Sequence, residues 1–341
     1  MVWFDESRLD DQVALGSADL RLRTLAEGGS RVRREVDAAA EAVDEAVARA
    51  ADARARAVIA AGPDSRLLRA VLEPVCPVPF VAWPSPALPG WAGSLDLVVV
   101  LAPDGGDPGT ASAVAEAARR GCQLVVAAPP NSLVAEHAGG RWTTILPTGT
   151  GDQLAVAVAM LSFLHRVQLG PAADPEAVAQ ALDDVAIACS PLRDISINPA
   201  KMLAISLADA NPLVWGGSVL SARAARRIAE SIRRTSGRAA LAGDAEHLLP
   251  VLEAARPRNV FADPFEEESG DRRPVLVLLD DGVDDDLAHA DRRRLEDAAA
   301  ARDVRVEHVA TEARGDVARY ASLLLRGTYA AEYLRLGLVP D

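Results

Sequence analysis

Lysine is almost missing from this chain: Lys201 is the sole one, and arginine supplies the rest of the 36 basic side chains. Against them stand 49 acidic residues, for a formal net charge of −13. The arginines fall in short runs, such as Arg31-Val32-Arg33-Arg34 and Arg292-Arg293-Arg294, each followed by acids. Such a surface repels nucleic acid and anionic membranes, so neither is expected as a partner. Aromatic residues are scarce at 4%, while Ala, Val and Leu dominate. A core of small aliphatic side chains suits helices packed closely on a parallel sheet. Cysteine is scarce too. Cys76, Cys122 and Cys189 stand far apart, an odd number without Cys-x-x-Cys spacing, which reads as free thiols in a reducing compartment.

Long apolar runs are absent, so no segment reaches the length needed to span a bilayer. Met1-Val2-Trp3-Phe4-Asp5-Glu6 carries no basic-then-apolar leader pattern, and the expected location is the cytoplasm. His-Glu-x-x-His and Gly-x-Ser-x-Gly do not occur. Gly-x-Gly-x-x-Gly is missing after Ile59, so no dinucleotide, other cofactor or metal is expected.

What is present is the pattern of a two-domain α/β protein. The 341 residues, 50% hydrophobic and 25% charged, are enough for two ordinary cores. Residues 1–56 read as helical, with a capped start between Asp5 and Asp11 and a long stretch from Val32 to Ala57. Short apolar runs then alternate with amphipathic ones. Candidate strands are Val58–Ala61, Val78–Ala82, Leu95–Leu101, Gln123–Ala127 and Thr143–Leu146, with helices clearest at Thr110–Arg120 and Asp152–Val167. Gly170–Pro175 marks a linker. After a helix over Glu176–Ala188 the programme restarts with strands at Pro212–Trp215, Arg238–Leu241, Arg258–Phe261, Val275–Leu279 and Val304–Val309. A last helix runs from Asp316 to about Leu336. Strands separated by helices predict parallel sheets covered on both faces. Each half opens alike: Val58–Ala61 leads to Gly62 and Ser65, and Leu213-Val214-Trp215 leads to Gly216, Gly217 and Ser218. In both, a serine stands where it can cap the next helix. A duplicated domain explains this; two unrelated α/β domains remain the alternative.

The strand-Gly-x-x-Ser-helix opening and its later duplicate resemble tandem sugar-isomerase (SIS) domains. Three segments resemble the bifunctional phosphoglucose/phosphomannose isomerase branch: Asn198-Pro199-Ala200-Lys201, Leu146-Pro147-Thr148-Gly149, and the closing Ala321–Leu334 with its leucine-rich helix, short kink and Tyr333-Leu334 pair. The resemblance implies two SIS domains, each a parallel sheet flanked by helices on both faces, over residues 1–168 and 169–341. It also implies a homodimer and a sugar-phosphate ligand held by hydroxyls and by backbone N–H groups at helix starts.

Departures from that family bear on the chemistry. Its second loop is rich in hydroxyls; here Asp104-Gly105-Gly106-Asp107 precede Thr110. A carboxylate about 4 Å from a phosphate costs roughly 1–4 kcal/mol. Ligand-binding candidates are therefore Gly62 and Ser65, the remodelled loop of Asp104, Gly105, Gly106, Asp107 and Thr110, and Gly216, Gly217 and Ser218. The alternatives are ordinary turns, with Thr110 capping the next helix. The family's Glu-Asn pair, which suits proton transfer between sugar carbons, is missing, and Glu230 is the acid nearby. His247 stands near the expected histidine. Lys201 is either a site residue, because a lysine can be desolvated in ways arginine cannot, or a chance lysine on a surface helix. Asp280-Asp281-Gly282-Val283-Asp284-Asp285-Asp286 follows no metal-ligand spacing and reads as a solvated loop feeding acids into a helix start. The expected function is binding of a sugar phosphate or related carbohydrate derivative with isomerase catalysis lost or altered. The alternatives are an active glucose-6-phosphate/mannose-6-phosphate isomerase with relocated acid–base residues, and a structural partner of an active isomerase subunit.

Overall fold

The computed structural model describes residues 2–50, 54–255 and 272–340. The chain opens with β1 (Val2–Phe4), a short 3-10 turn (Glu6–Leu9) and α1 (Gln12–Ala26), whose start is capped by Asp11 accepting from the Ala14 amide at 2.7 Å. Next come α2 (Gly28–Ala50), β2 (Val58–Ala61), α3 (Ser65–Leu72), β3 (Phe80–Trp83) and β4 (Leu97–Leu101). They are followed by α4 (Pro108–Arg119), β5 (Gln123–Ala128), α5 (Leu133–His137), β6 (Thr143–Pro147), α6 (Gln153–Arg166) and α7 (Pro175–Ala188).

Strands β2 to β6 form one parallel sheet in the order β3-β2-β4-β5-β6. Val58–Ala61 and Leu97–Leu101 are buried at every position, the signature of strands covered on both faces. The predicted helix to Ala57 is described as far as Ala50, and the chain is no longer helical at residue 54. Residues 54–57 are already drawn alongside the sheet, where the Arg56 amide donates to the Leu95 carbonyl at 2.8 Å and Leu97 donates to Ala57 at 3.0 Å. Pairing overrides the helix propensity of an Ala-rich stretch.

The second sheet is built from β7 (Asn211–Gly216), β8 (Leu241–Ala242), β9 (Pro274–Asp280) and β10 (Arg305–Ala310), preceded by α8 (Pro199–Leu207). The helices after its strands are α9 (Val219–Ser236), α10 (Ala245–Glu253), α11 (Asp286–Ala301) and α12 (Asp316–Gly337), and the chain closes with β11 (Leu338–Pro340). Among the described residues its order is β10-β9-β7-β8, all parallel. The strand expected over Arg258–Phe261 lies outside the described residues. In both sheets the first strand sits between the second and the third. Helix α12 runs from Asp316 to Gly337, as the expected closing helix does to within a residue.

The chain divides into two compact units, Gly28–Gln180 and Met1–Glu27 with Ala181–Asp341. The opening residues thus group with the second sheet, not with the first as the sequence implied. The cause is local: β1 pairs antiparallel with β11, and α1 packs on α12.

Candidate functional site

In an open α/β sheet the ligand crevice lies outside the carboxyl ends of the strands, where neighbouring connections leave in opposite directions. In the first unit that point lies between β2 and β4. Gly62, just after β2, has φ +89°, and a Cβ there would lie 2.9 Å from Thr110 Oγ1, so backbone conformation and space both require glycine. Asp64, not Ser65, takes the cap position of α3, with helical dihedrals and no side-chain cap bond. Its Oδ1 accepts from Gln153 Nε2 at 2.5 Å. Ser65 falls inside the first turn instead of capping it, and its hydroxyl is buried with no hydrogen-bond partner. The Thr148 hydroxyl, just past β6, is also buried and unpartnered.

The remodelled loop is anchored by its own groups. Gly105 packs against Ser132, and its carbonyl accepts from Val134 at the start of α5 at 3.0 Å. Gly106 and Asp104 are exposed, with the Asp104 carboxylate beside Gly151. The cap of α4 is Asp107 and not Thr110: its carboxylate accepts both the Thr110 amide and the Thr110 hydroxyl, each at 2.7 Å. The Thr110 hydroxyl and amide hold the Asp107 carboxyl below its ordinary range. The start of α4 therefore already holds an anion. Beside Thr148 the pattern recurs. Glu35 of α2, 1% exposed, accepts from the backbone amides of Gly149 at 3.0 Å and Thr150 at 2.5 Å. Glu35 was not singled out from sequence, yet a signal was there: it falls on the apolar stripe Val32, Ala39, Val43, Ala46.

In the second unit the equivalent point lies between β7 and β9, and it is open. A cleft of about 280 Å³ is bounded by Trp215, Gly217 and Ser218 on one side and by Asp280, Asp281, Ala288, His289 and Arg292 on the other. Gly216 is required by close approach, since a Cβ would sit 2.4 Å from the Ser221 carbonyl carbon. Gly217 is wedged between the Trp215 ring and Ala288. Ser218 caps α9 as expected: its hydroxyl accepts from the Ser221 amide at 3.0 Å, and its own amide donates to Ser221 Oγ at 2.9 Å. The Ser218 hydroxyl also hydrogen-bonds the Asp281 carboxylate.

The acidic loop behaves only partly as read. Asp285 caps α11, accepting from Ala288 at 2.8 Å. Asp280 and Asp281, however, line the cleft, and Asp281 is only 9% exposed. Arg292 donates to Asp280 at 2.8 Å, and that bond, with the Gly282 amide, keeps the Asp280 carboxyl below its usual range. No group of side chains among the described residues has the makings of a metal site.

None of the three acid–base candidates lines the cleft of the second unit. Lys201 is neither exposed nor free. Its ammonium, 0% exposed, donates to Asp10 Oδ1 at 2.6 Å, to the Pro191 carbonyl at 3.0 Å and to the Arg193 carbonyl at 2.8 Å. Glu230 pairs with Arg227 at 2.7 Å and Arg234 at 3.4 Å, twelve residues beyond Ser218 and so about 18 Å along the helix. His247 is exposed on α10.

Comparison with known proteins places this geometry. Residues 196–337, the span that holds the second sheet and its helices, match the family model of the bacterial phospho-glucose isomerase C-terminal SIS domain. No curated protein matches the chain in sequence. The fold of the whole chain is that of SIS proteins. It is similar to tagatose-6-phosphate ketose/aldose isomerase from Escherichia coli, with TM-score 0.62 and 13% identity over 92% of each chain. It is also similar to the C-terminal domain of glucosamine-fructose-6-phosphate aminotransferase from Francisella tularensis, with TM-score 0.63 and 12% identity, covering 94% of this chain and 97% of that one. A glucose-6-phosphate isomerase like protein from Thermus thermophilus matches at TM-score 0.51 and 18% identity, over 82% of this chain and 80% of that one. Among the described residues no helix is long and apolar enough to cross a membrane.

Proposed function

We propose that this protein binds a sugar phosphate or related carbohydrate derivative at the carboxyl edge of its first sheet and does not interconvert aldose and ketose. The observation that carries the reading is the buried Ser65 hydroxyl, which has no partner at the start of α3. A buried hydroxyl without a hydrogen bond costs about 1–3 kcal/mol, so its retention favours a partner that arrives from outside. Thr148 supports the same edge. An anion enters at α3, because Asp107 already occupies the start of α4 and Glu35 occupies the amides after β6. Loss of catalysis is supported by Lys201, Glu230 and His247, which hold structural or surface positions within their own unit. The free thiols Cys76, Cys122 and Cys189 support a cytoplasmic setting.

The test joins binding to turnover. A sugar phosphate at 100 times its dissociation constant adds about 2.7 kcal/mol of apparent stability. Ser65→Ala should abolish that gain while raising the stability of the unliganded protein by about 1 kcal/mol, since an unsatisfied polar atom is removed. A purely structural serine would show the opposite sign. Interconversion of fructose 6-phosphate with glucose or mannose 6-phosphate by the purified protein would overturn the non-catalytic reading.

A further inference from the structure

The cleft of the second unit is chemically unlike the first edge and calls for a different occupant. Its three carboxylates, Asp280, Asp281 and Asp285, face one guanidinium, Arg292, while the imidazole of His289 in the same lining pairs with Asp284, a carboxylate outside it, at 3.7 Å. That leaves two negative charges. The starts of α9 and α11 contribute about half a positive charge each, which cancels only one of them. Arg292 is committed to Asp280, and Asp285 to the start of α11. Asp281 is left as a carboxylate nine-tenths buried, held by the Ser218 hydroxyl and, at 3.4 Å, by the Val283 amide, with no ion pair among the described residues. A buried charge in that state is stabilised by any cation that reaches it. The volume of about 280 Å³ lies at the lower end of small-molecule sites, which run from about 300 to 1,000 Å³. The volume suits one monosaccharide-sized ligand. Trp215, Val219 and Val283 add apolar surface for the carbon skeleton.

We infer that this cleft is a separate binding site for a small hydroxylated organic cation, an unphosphorylated amino polyol whose ammonium meets Asp281 and whose hydroxyls meet Ser218 and Asp280. A phosphate is excluded by the same charge that attracts the ammonium. The site is independent of the first-unit edge, and its test is built to separate the two. Glucosamine and glucose serve as matched probes, differing at neutral pH by one ammonium in place of one hydroxyl. Titration of the full chain, followed by ligand-observed NMR, should give a dissociation constant for glucosamine at least about tenfold below that for glucose, equivalent to about 1.4 kcal/mol. Asp281→Asn, which keeps a hydrogen-bond acceptor for Ser218, should erase that difference. Val219→Trp, placed at an exposed rim position, should block both probes without touching Asp281 and serves if Asp281→Asn fails to fold. Ser65→Ala should leave the glucosamine titration unchanged. Equal affinity of the two sugars, absence of glucosamine binding, or full retention of the preference in Asp281→Asn overturns the site.

Discussion

The sole lysine shows how one residue can be singular for a structural reason. Its ammonium closes a cage made of Asp10, the Pro191 and Arg193 carbonyls and, at 5.6 Å, the ring of Tyr333. Arginine would bring a planar fork into a space shaped for three converging bonds from one atom. The cage links the amino-terminal segment, the turn before α8, and α12, so Lys201 holds together pieces far apart in sequence. Lys201→Met keeps the length of the side chain but strands two carbonyls and a half-exposed carboxylate. The expected cost is about 2–3 kcal/mol in a urea melt, with the Ser65-dependent ligand response unchanged. A variant of native stability that lost ligand binding would instead make Lys201 part of a site. The signal in the sequence was real, since one lysine among so many arginines marks a constraint. Composition does not distinguish a buried cage from a catalytic amine.

At the scale of elements, much was legible. Period and apolar runs located β2, β4, β5, β7 and β9 to within two residues, because strands covered on both faces read as nearly unbroken apolar segments, and located the alternately buried edge strand β6 as closely. The terminal pair β1–β11 was not foreseen, for three-residue strands carry no period. The loops were harder. Whether Asp107, Thr110, Asp64 or Ser65 caps its helix depends on one residue of turn geometry, and whether Asp281 faces water or a cleft depends on β7, some 65 residues earlier in the chain. The α4 start yields a direct prediction. Asp107→Ser retains a good cap, so stability should change by less than about 1 kcal/mol. It also removes a carboxylate from the edge proposed to bind a sugar phosphate, and affinity should rise by about tenfold, within the roughly 1–4 kcal/mol that such a charge costs. Because Thr110 keeps the Asp107 carboxyl below its ordinary range, mild acid will not mimic the substitution. Unaltered affinity in Asp107→Ser would remove the charge argument for this loop.

Among the described residues the whole molecule combines two sheets of like topology whose crevices differ, the first with carboxylates of its own chain on two of its amide groups and the second open and acidic. Its response to alkali follows from what the second unit buries. Burial pushes the Cys189 thiol up to about 11, and burial also raises the Tyr333 phenol, whose hydroxyl donates to the Cys189 carbonyl at 2.6 Å. In the unfolded chain a thiol ionises near about 8.5 and a phenol near about 10. Both groups are acids with raised values in the fold, so the native state favours their neutral forms. Their contribution is complete below about pH 8 and is lost as pH climbs through the unfolded values toward 11. For the thiol alone the loss amounts to about 2–3 kcal/mol. Urea midpoints measured at steps from pH 8 to pH 11 should therefore fall steadily in the native protein. Cys189→Ala lowers stability at every pH by removing packing, but it should flatten the slope over this window, and Tyr333→Phe should flatten its upper part. An unchanged slope in both variants would mean that these buried groups do not govern the alkaline limit of the second unit.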